Sequence, residues 1–187
     1  PNSISAFDDL PGYDSGKFLR WQELIQESID NQRKIIVYSQ FRDMLRLMRE
    51  WVETKNIPYL YLDGTTQDRQ SLIDKFNTDS EIPLFLMSLK AGGTGINLTG
   101  ADTVMIYDPW WNPAVEDQAV DRAHRIGQTK PVNVYRLVTV QSVEEKMLEL
   151  KNRKSAVVDA IINKESLQQL KLTVKDLENL FAPLKAE

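Results

Sequence analysis

The sequence predicts an α/β fold, a doubly wound and mostly parallel sheet with helices on both faces. Three observations carry that expectation. Short apolar runs of strand length alternate along the chain with amphipathic segments of helical period. The runs are apolar at consecutive rather than alternate positions, as in strands covered on both faces. The 187 residues are also enough to bury roughly 70% of the unfolded surface around one core.

Each element follows from its pattern. Residues 1–16, rich in Pro, Gly, Ser and Asp, are expected to form a loose leader or linker. From Lys17, the spacing of Phe18, Trp21, Ile25 and Ile29 predicts a helix with one apolar face. Ile35-Ile36-Val37-Tyr38 predicts a buried strand; Phe41, Met44, Leu45, Met48, Trp51 and Val52 form the inward side of the next helix. Tyr59 to Leu62 reads as a strand, and Leu72, Ile73 and Phe76 mark a short helix. Leu84 to Met87 and Val104 to Tyr107 are strands, Pro113 to Arg125 a helix, and Val132 to Val138 the last strand. A long helical tail turns Val143, Met147, Leu150, Val157 and Ile161 inward. The expected organisation is a lobe over 17–140 and a helical extension over 141–187, packed on or beside it.

Composition narrows the function. With 42% hydrophobic, 27% charged and 9% aromatic residues, the chain has ordinary soluble-domain values, which exclude disorder, collagen-like repeats and coiled coil. No apolar run approaches the ~20 residues that span a bilayer, so no membrane partner is expected. The absence of cysteine excludes disulfides, thiol catalysis and Cys-ligated metals, and the single histidine, His124, argues against a His-based zinc site. An intracellular location is expected: cytoplasm or nucleoid, or the nucleus in a eukaryote. The chain opens on Pro1 rather than methionine, as expected of a fragment of something longer. Lys and Arg number 23 against 27 Asp and Glu, a net charge of −4, so phosphate binding must come from local patches.

Gly12-Tyr-Asp-Ser-Gly16-Lys17 superficially looks like a phosphate loop. It has three residues between its glycines where four are needed, and Phe18 stands where Ser or Thr should follow. It reads instead as a leader entering a helix, and no other stretch has the spacing. Ser88-Leu-Lys-Ala-Gly-Gly-Thr-Gly-Ile-Asn97 follows a strand. Its glycines permit close backbone approach, so successive N–H groups can converge on an anion. A tight strand connection is the plainer reading, but Lys90, Thr94 and Asn97 add donors and favour phosphate or ribose contact. In Gln118-Ala-Val-Asp-Arg122-Ala-His-Arg125-Ile-Gly-Gln128, the two arginines are three apart on a predicted helix and so share one face. Two guanidiniums side by side suit an anion between them, although Asp121 and Glu116 could simply neutralise a solvated face. His124 points off that face and reads as a packed or surface histidine. Trp110 and Trp111, bounded by Pro109 and Pro113, cannot both point into one core, which places one at an interface. Asp63-Gly64-Thr65-Thr66 closes a strand and opens a helix, giving a capped N-terminus that can take a phosphate.

Together these segments resemble the second, C-terminal RecA-like lobe of the SWI/SNF-type DNA-dependent ATPases in helicase superfamily 2. The resemblance runs from about Ser15 to Phe181. Ile36-Val-Tyr-Ser-Gln-Phe41 looks like motif IV, and Leu62-Asp-Gly-Thr65 like the strand-to-helix element after it. Met87 to Leu98 looks like motif V, with Asp108-Pro-Trp-Trp-Asn-Pro113 beyond it. Gln118 to Gln128 looks like motif VI in the form peculiar to this family. The ending, Ser142 to Lys154 and Leu172 to Phe181, is most like microbial members.

The resemblance implies a motor whose ATP site lies between two lobes. The absent N-terminal lobe would hold the phosphate loop and the acidic ligands for Mg2+. Arg122 and Arg125 would be arginine fingers, stabilising charge on the transferred phosphoryl, an effect that can reach ~10³–10⁵ in rate. Gln118 and Asp121 would orient their helix, and Gly93, Gly95 and Asn97 would lie near the nucleotide. Ser39, Gln40, Thr65, Thr66, Ser88, Lys90 and Thr94 would face the phosphates of double-stranded DNA, and Trp110 and Trp111 would couple the two sites. No metal ligand or tightly bound cofactor is expected in this fragment, which should not hydrolyse ATP alone. The partners implied are the DNA backbone, the missing lobe and DNA-bound proteins. Two other readings stand beside this one. A self-contained Rossmann-type oxidoreductase or transferase would need G-x-G-x-x-G after an early strand, whereas Gly93-Thr-Gly95 comes late and lacks the third glycine. A degenerate lobe kept only as a protein- or nucleic-acid-binding module would not need Arg122, Arg125, Lys90 and Gly93 intact.

Overall fold

A computed structural model describes residues 15–91, 96–110, 112–125, 128 and 130–162, with backbone only for 113 and 153–162. The expectations for Gly93, Thr94, Gly95, Trp111, residues 1–14, the tail beyond 162 and the inward direction of Val157 and Ile161 lie outside the described residues. Helix α1 (Gly16–Asp30) leads into β1 (Ile35–Ser39), α2 (Arg42–Thr54), β2 (Tyr59–Leu62), α3 (Arg69–Thr78) and β3 (Leu84–Ser88). Then come β4 (Thr103–Ile106), α4 (Pro113–Val120), β5 (Asn133–Arg136) and α5 (Val143–Ile162).

The strands form one sheet in the order β2-β3-β1-β4-β5, every pairing parallel. The central strands β1, β3 and β4 are buried along their full length, as their unbroken apolar runs require. Coverage on both faces does not extend to the edges. β2 alternates between buried and half-buried positions, and Tyr135 and Arg136 of β5 are exposed.

The two faces carry two cores. Trp21, Leu24 and Ile25 of α1 and Leu45, Met48 and Val52 of α2 pack on Ile35, Val37, Leu84, Leu86 and Met105. Ile73 and Phe76 of α3 and Ala119 of α4 pack on Ile36, Tyr38, Leu60, Leu62, Phe85, Met87 and Val104. Alternate side chains of one strand thus serve opposite faces, which makes the sheet doubly wound.

Three expected details change. Phe41 precedes α2 as its N-cap residue and is 57% exposed, so it lies outside the inward face of that helix. Val143 opens α5 and is 51% exposed rather than inward. The helix expected through Arg125 ends at Val120, where the chain tightens into i→i−3 bonds from Arg122 N to Ala119 O and from Ala123 N to Val120 O. Carbonyls that would continue the helix are taken elsewhere, Arg122 O by Leu98 N at 2.9 Å and Ala123 O by Gln128 Nε2 at 3.4 Å. Among the described residues no helix is long and apolar enough to cross a membrane.

Candidate functional site

Parallel strands bring their carboxyl ends to one edge, and part of the expected site, the described residues after β1, β2, β3 and β4, lies there. Ser39 closes β1 opposite Ser88 of β3, Asp63 to Thr66 follow β2, Lys90 follows β3, and Tyr107 to Trp110 follow β4. The chain leaves β1 towards β2 and leaves β4 towards β5, in opposite directions. A crevice therefore opens between β1 and β4, where α/β sheets bind ligands.

Asp108 sits at that crevice, 6% exposed. Its carboxylate accepts hydrogen bonds from the Ser39 hydroxyl and, at 3.3 Å, from the Gln40 amide. Burial pushes the Asp108 carboxyl above the usual carboxylate range, and the Ser39 hydrogen bond opposes it. Ser39 is thereby internal, 1% exposed, with its hydroxyl committed to Asp108 rather than turned outward. Ser88 is likewise buried, while the Gln40 side chain is half-buried.

After β2, the expected helix N-terminus at Thr65-Thr66 is a self-contained turn. The Asp63 carboxylate accepts from Thr65 N at 2.8 Å, Thr65 Oγ1 at 2.6 Å and Arg42 Nη2 at 3.0 Å, while Thr66 Oγ1 accepts from Asp63 N. The Thr65 hydroxyl, chief among these contacts, holds the Asp63 carboxyl below its usual range. The helix starts later, at Arg69, with Asp68 as its cap. Asp63, Thr65 and Thr66 satisfy one another in a turn, so these groups are not available to open a helix.

The arginines do not share a face. Arg125 is exposed, whereas Arg122 is 3% exposed and turns into the lobe. Its Nη1 donates to Ile96 O at 3.4 Å, and its buried Nε has no hydrogen-bond partner. The Tyr38 hydroxyl is also buried without a partner, and the Arg122 charge acts on it. No carboxylate pairs with Arg122 among the described residues. A sheltered guanidinium with an idle donor beside Ile96 fits an anionic ligand. Gln118, Asp121 and Asn97 are exposed.

The turn after α4 and residues 97–101 are laced by side chains to which sequence reasoning gave no role. Gln128 Nε2 donates to Ala101 O at 2.6 Å and Thr99 O at 3.1 Å. Asn77 donates to Asn97 O and accepts from Gly100 N, each at 2.9 Å. A β-carbon at Gly100 would come within 2.9 Å of the Asn77 backbone, so that contact needs glycine. Lys90 is exposed and stands 5.6 Å over the half-buried Trp110 ring. Lys17, from the phosphate-loop look-alike, pairs with Glu144 at 2.7 Å. A groove of about 550 Å³ lies beside β5, between residues 15–24 and 135–140, and includes no residue of the crevice.

Comparison with known proteins decides the family. The model of the helicase conserved C-terminal domain matches residues 16–127. A solved SWI2/SNF2 ATPase C-terminal domain of Sulfolobus solfataricus is 31% identical, with a TM-score of 0.67, over 92% of this chain and 70% of that one. The chain belongs to the SWI2/SNF2 family. This RecA-like helicase C-terminal lobe is also 37% identical to a Sulfolobus solfataricus SWI2/SNF2 ATPase core in complex with double-stranded DNA, with a TM-score of 0.65 over 81% of this chain and 32% of that one. It is 45% identical to the chromatin-remodelling ATPase INO80 of Neurospora crassa over 151 residues, 80% of this chain and 8% of that protein. Against such relatives this SWI2/SNF2 lobe spans between 8% and 15% of their length.

Proposed function

We propose that this lobe is the C-terminal half of an ATP-dependent translocase that moves along double-stranded DNA. ATP would bind between it and an N-terminal lobe carrying the phosphate loop and Mg2+ ligands. The observation that carries this reading is the Arg122 guanidinium, buried with no carboxylate partner among the described residues and with an idle Nε. Arg125 is the exposed member of the pair. Both would face a terminal phosphate once the 121–125 turn rearranges as the lobes close. Arg122 and Arg125 then stabilise charge on the transferred phosphoryl, and Gly93, Gly95 and Asn97 lie along the nucleotide. Gln118 and Asp121 orient the arginine segment.

Backbone contact explains how an acidic lobe grips DNA without reading bases. Lys90, Gln40 and Thr94 are the proposed phosphate contacts. Ser39, Ser88, Thr65 and Thr66 shape that edge, the hydroxyls of Ser39, Thr65 and Thr66 through the internal bonds already described. Trp110 and Trp111 couple the two sites. The triphosphate and magnesium ligands are placed on the other lobe, so the 187-residue chain alone is expected to show no DNA-stimulated ATP turnover above a buffer control. Turnover by the purified chain would remove the need for a second lobe.

The DNA side of the reading is tested by a filter-binding salt series beside triplex displacement in the complete two-lobe protein. Lys90→Ala should weaken binding similarly across sequences and make the salt slope shallower by about one phosphate. Trp110→Ala should leave affinity nearly intact and lower displacement per ATP, because an indole offers phosphate no charge. A tryptophan variant that loses affinity like the lysine variant, with displacement per ATP unchanged, would reverse these roles.

A further inference from the structure

We infer that Glu116 is a positioning residue through which the C-terminal helix α5 sets the placement of the tryptophan segment. The inference rests on the coupling role proposed for Trp110. Glu116 lies in the first turn of α4 and is 3% exposed. Its Oε1 accepts from Trp110 N at 2.5 Å and from Lys151 Nζ at 2.5 Å, and its Oε2 from Arg136 Nε at 3.3 Å. Three donors from three separate elements, the β4–α4 connection, β5 and α5, meet on one carboxylate.

The arrangement is not explained by stability. A buried ion pair seldom outperforms an apolar pair of the same volume, because both ions must be desolvated. Losing one partner strands the other, so the pair fixes geometry more than it adds stability. The way α5 is attached makes that geometry consequential. Over residues 143–152, Lys151 is the one buried side chain, and none of these residues belongs to either core. The second anchor is Glu144, seven residues earlier, paired with Lys17 through both oxygens at 2.7 and 2.8 Å. A seven-residue step returns to the same helix face two turns on, about 10 Å along the axis. Two ion pairs on one face thus anchor this part of α5, whose apolar side chains are at most half-buried.

Displacing α5 therefore withdraws Lys151 from Glu116, leaves Arg136 as the remaining ionic partner, and loosens the carboxylate that accepts from the Trp110 amide. Trp110 in turn stacks beneath Lys90, and α4 continues into the turn that carries Arg122 and Arg125. Glu116 thus stands where a movement of the C-terminal helix meets both the DNA-facing lysine and the arginine turn.

The test compares wild type, Glu116→Gln, Lys151→Met and the double variant in the complete two-lobe protein. Hydrogen exchange at the Trp110 amide needs neither nucleotide nor DNA. It should quicken roughly tenfold in Lys151→Met while Met105 in β4 keeps its wild-type rate. The ratio of DNA-stimulated to basal turnover should fall about fivefold or more at unchanged KM for ATP, with the double no worse than either single. The double variant also lacks both the unpaired Lys151 ammonium of Glu116→Gln and the Glu116 charge that Lys151→Met leaves to Arg136 alone. If its Trp110 exchange and its turnover ratio return to wild type, the pair merely satisfies its own burial and the inference is overturned. Unchanged Trp110 exchange in Lys151→Met overturns it as well. A protein with no DNA-stimulated turnover would defeat the translocase reading instead, and the exchange measurement would still decide the role of Glu116.

Discussion

Arg122→Ala and Arg125→Ala, each made in the complete two-lobe protein, are expected to cut DNA-stimulated ATP turnover by roughly 10²-fold or more. The expectation follows from where the charge is needed. A loose phosphoryl-transfer transition state spreads negative charge over equatorial oxygens, and a guanidinium fork meets two of them at once. Nucleotide affinity in the open state should change far less, because Arg122 is then turned into the lobe towards Ile96. The same geometry gives an opposite prediction for stability. A buried guanidinium without a carboxylate is costly, so Arg122→Met should stabilise the lobe by about 1–3 kcal/mol in denaturant melts. Arg125→Ala, at an exposed position, should stay within about 0.5 kcal/mol. An Arg122→Met protein that keeps wild-type turnover, or that loses stability, would show that this guanidinium is satisfied by the fold rather than held for a ligand.

That contrast between the two arginines was hidden from sequence reasoning, and the reason is physical. The apolar runs of β1, β3 and β4 were legible because burial on both faces leaves no room for polar residues, and the same logic made the helix faces around Trp21 and Leu45 legible. The edge strands were harder to read: Tyr135 is apolar in composition yet exposed, because only the sheet order reveals an edge. Arg122 and Arg125 looked like helix neighbours because local spacing continues the period of α4. What stops the helix at Val120 is bonding from Leu98 and Gln128, distant in sequence or beyond the pattern. Thr65 and Thr66 looked like a helix start for a similar reason, since a threonine that caps a helix and one that bonds back to Asp63 have the same local signature. Glu116 enters the sequence reading only through its plainer alternative, in which it and Asp121 neutralise a solvated arginine face. Its actual partners, Lys151 and Arg136, lie 35 and 20 residues away, and no period links them. Motif spacing could locate the crevice; it could not say which side chains there face inward.

The second large effect concerns α1. Trp21→Ala is expected to cost about 3–5 kcal/mol in denaturant or thermal unfolding, the range for deleting a fully buried large aromatic. Trp21 is 0% exposed, with Phe18 stacked on it at 5.3 Å and Trp51 of α2 edge-on at 5.3 Å, so its removal opens a cavity between two helices and the sheet. Its indole N–H is nevertheless buried without a hydrogen-bond partner. An orphaned donor costs about 1–3 kcal/mol, and phenylalanine removes that donor while keeping most of the ring. Trp21→Phe should therefore cost about 1 kcal/mol or less, the lost volume being largely offset by relief of the unmet donor. If phenylalanine costs as much as alanine, the N–H has a partner in solution and the site is not polar-frustrated. The consequence reaches beyond α1 itself. Lys17 at its start holds Glu144, so an α1 loosened by Trp21→Ala should also release α5 and quicken exchange at the Trp110 amide. In Trp21→Phe that amide should keep its wild-type exchange rate, because the helix, and with it the Lys17–Glu144 pair, stays in place.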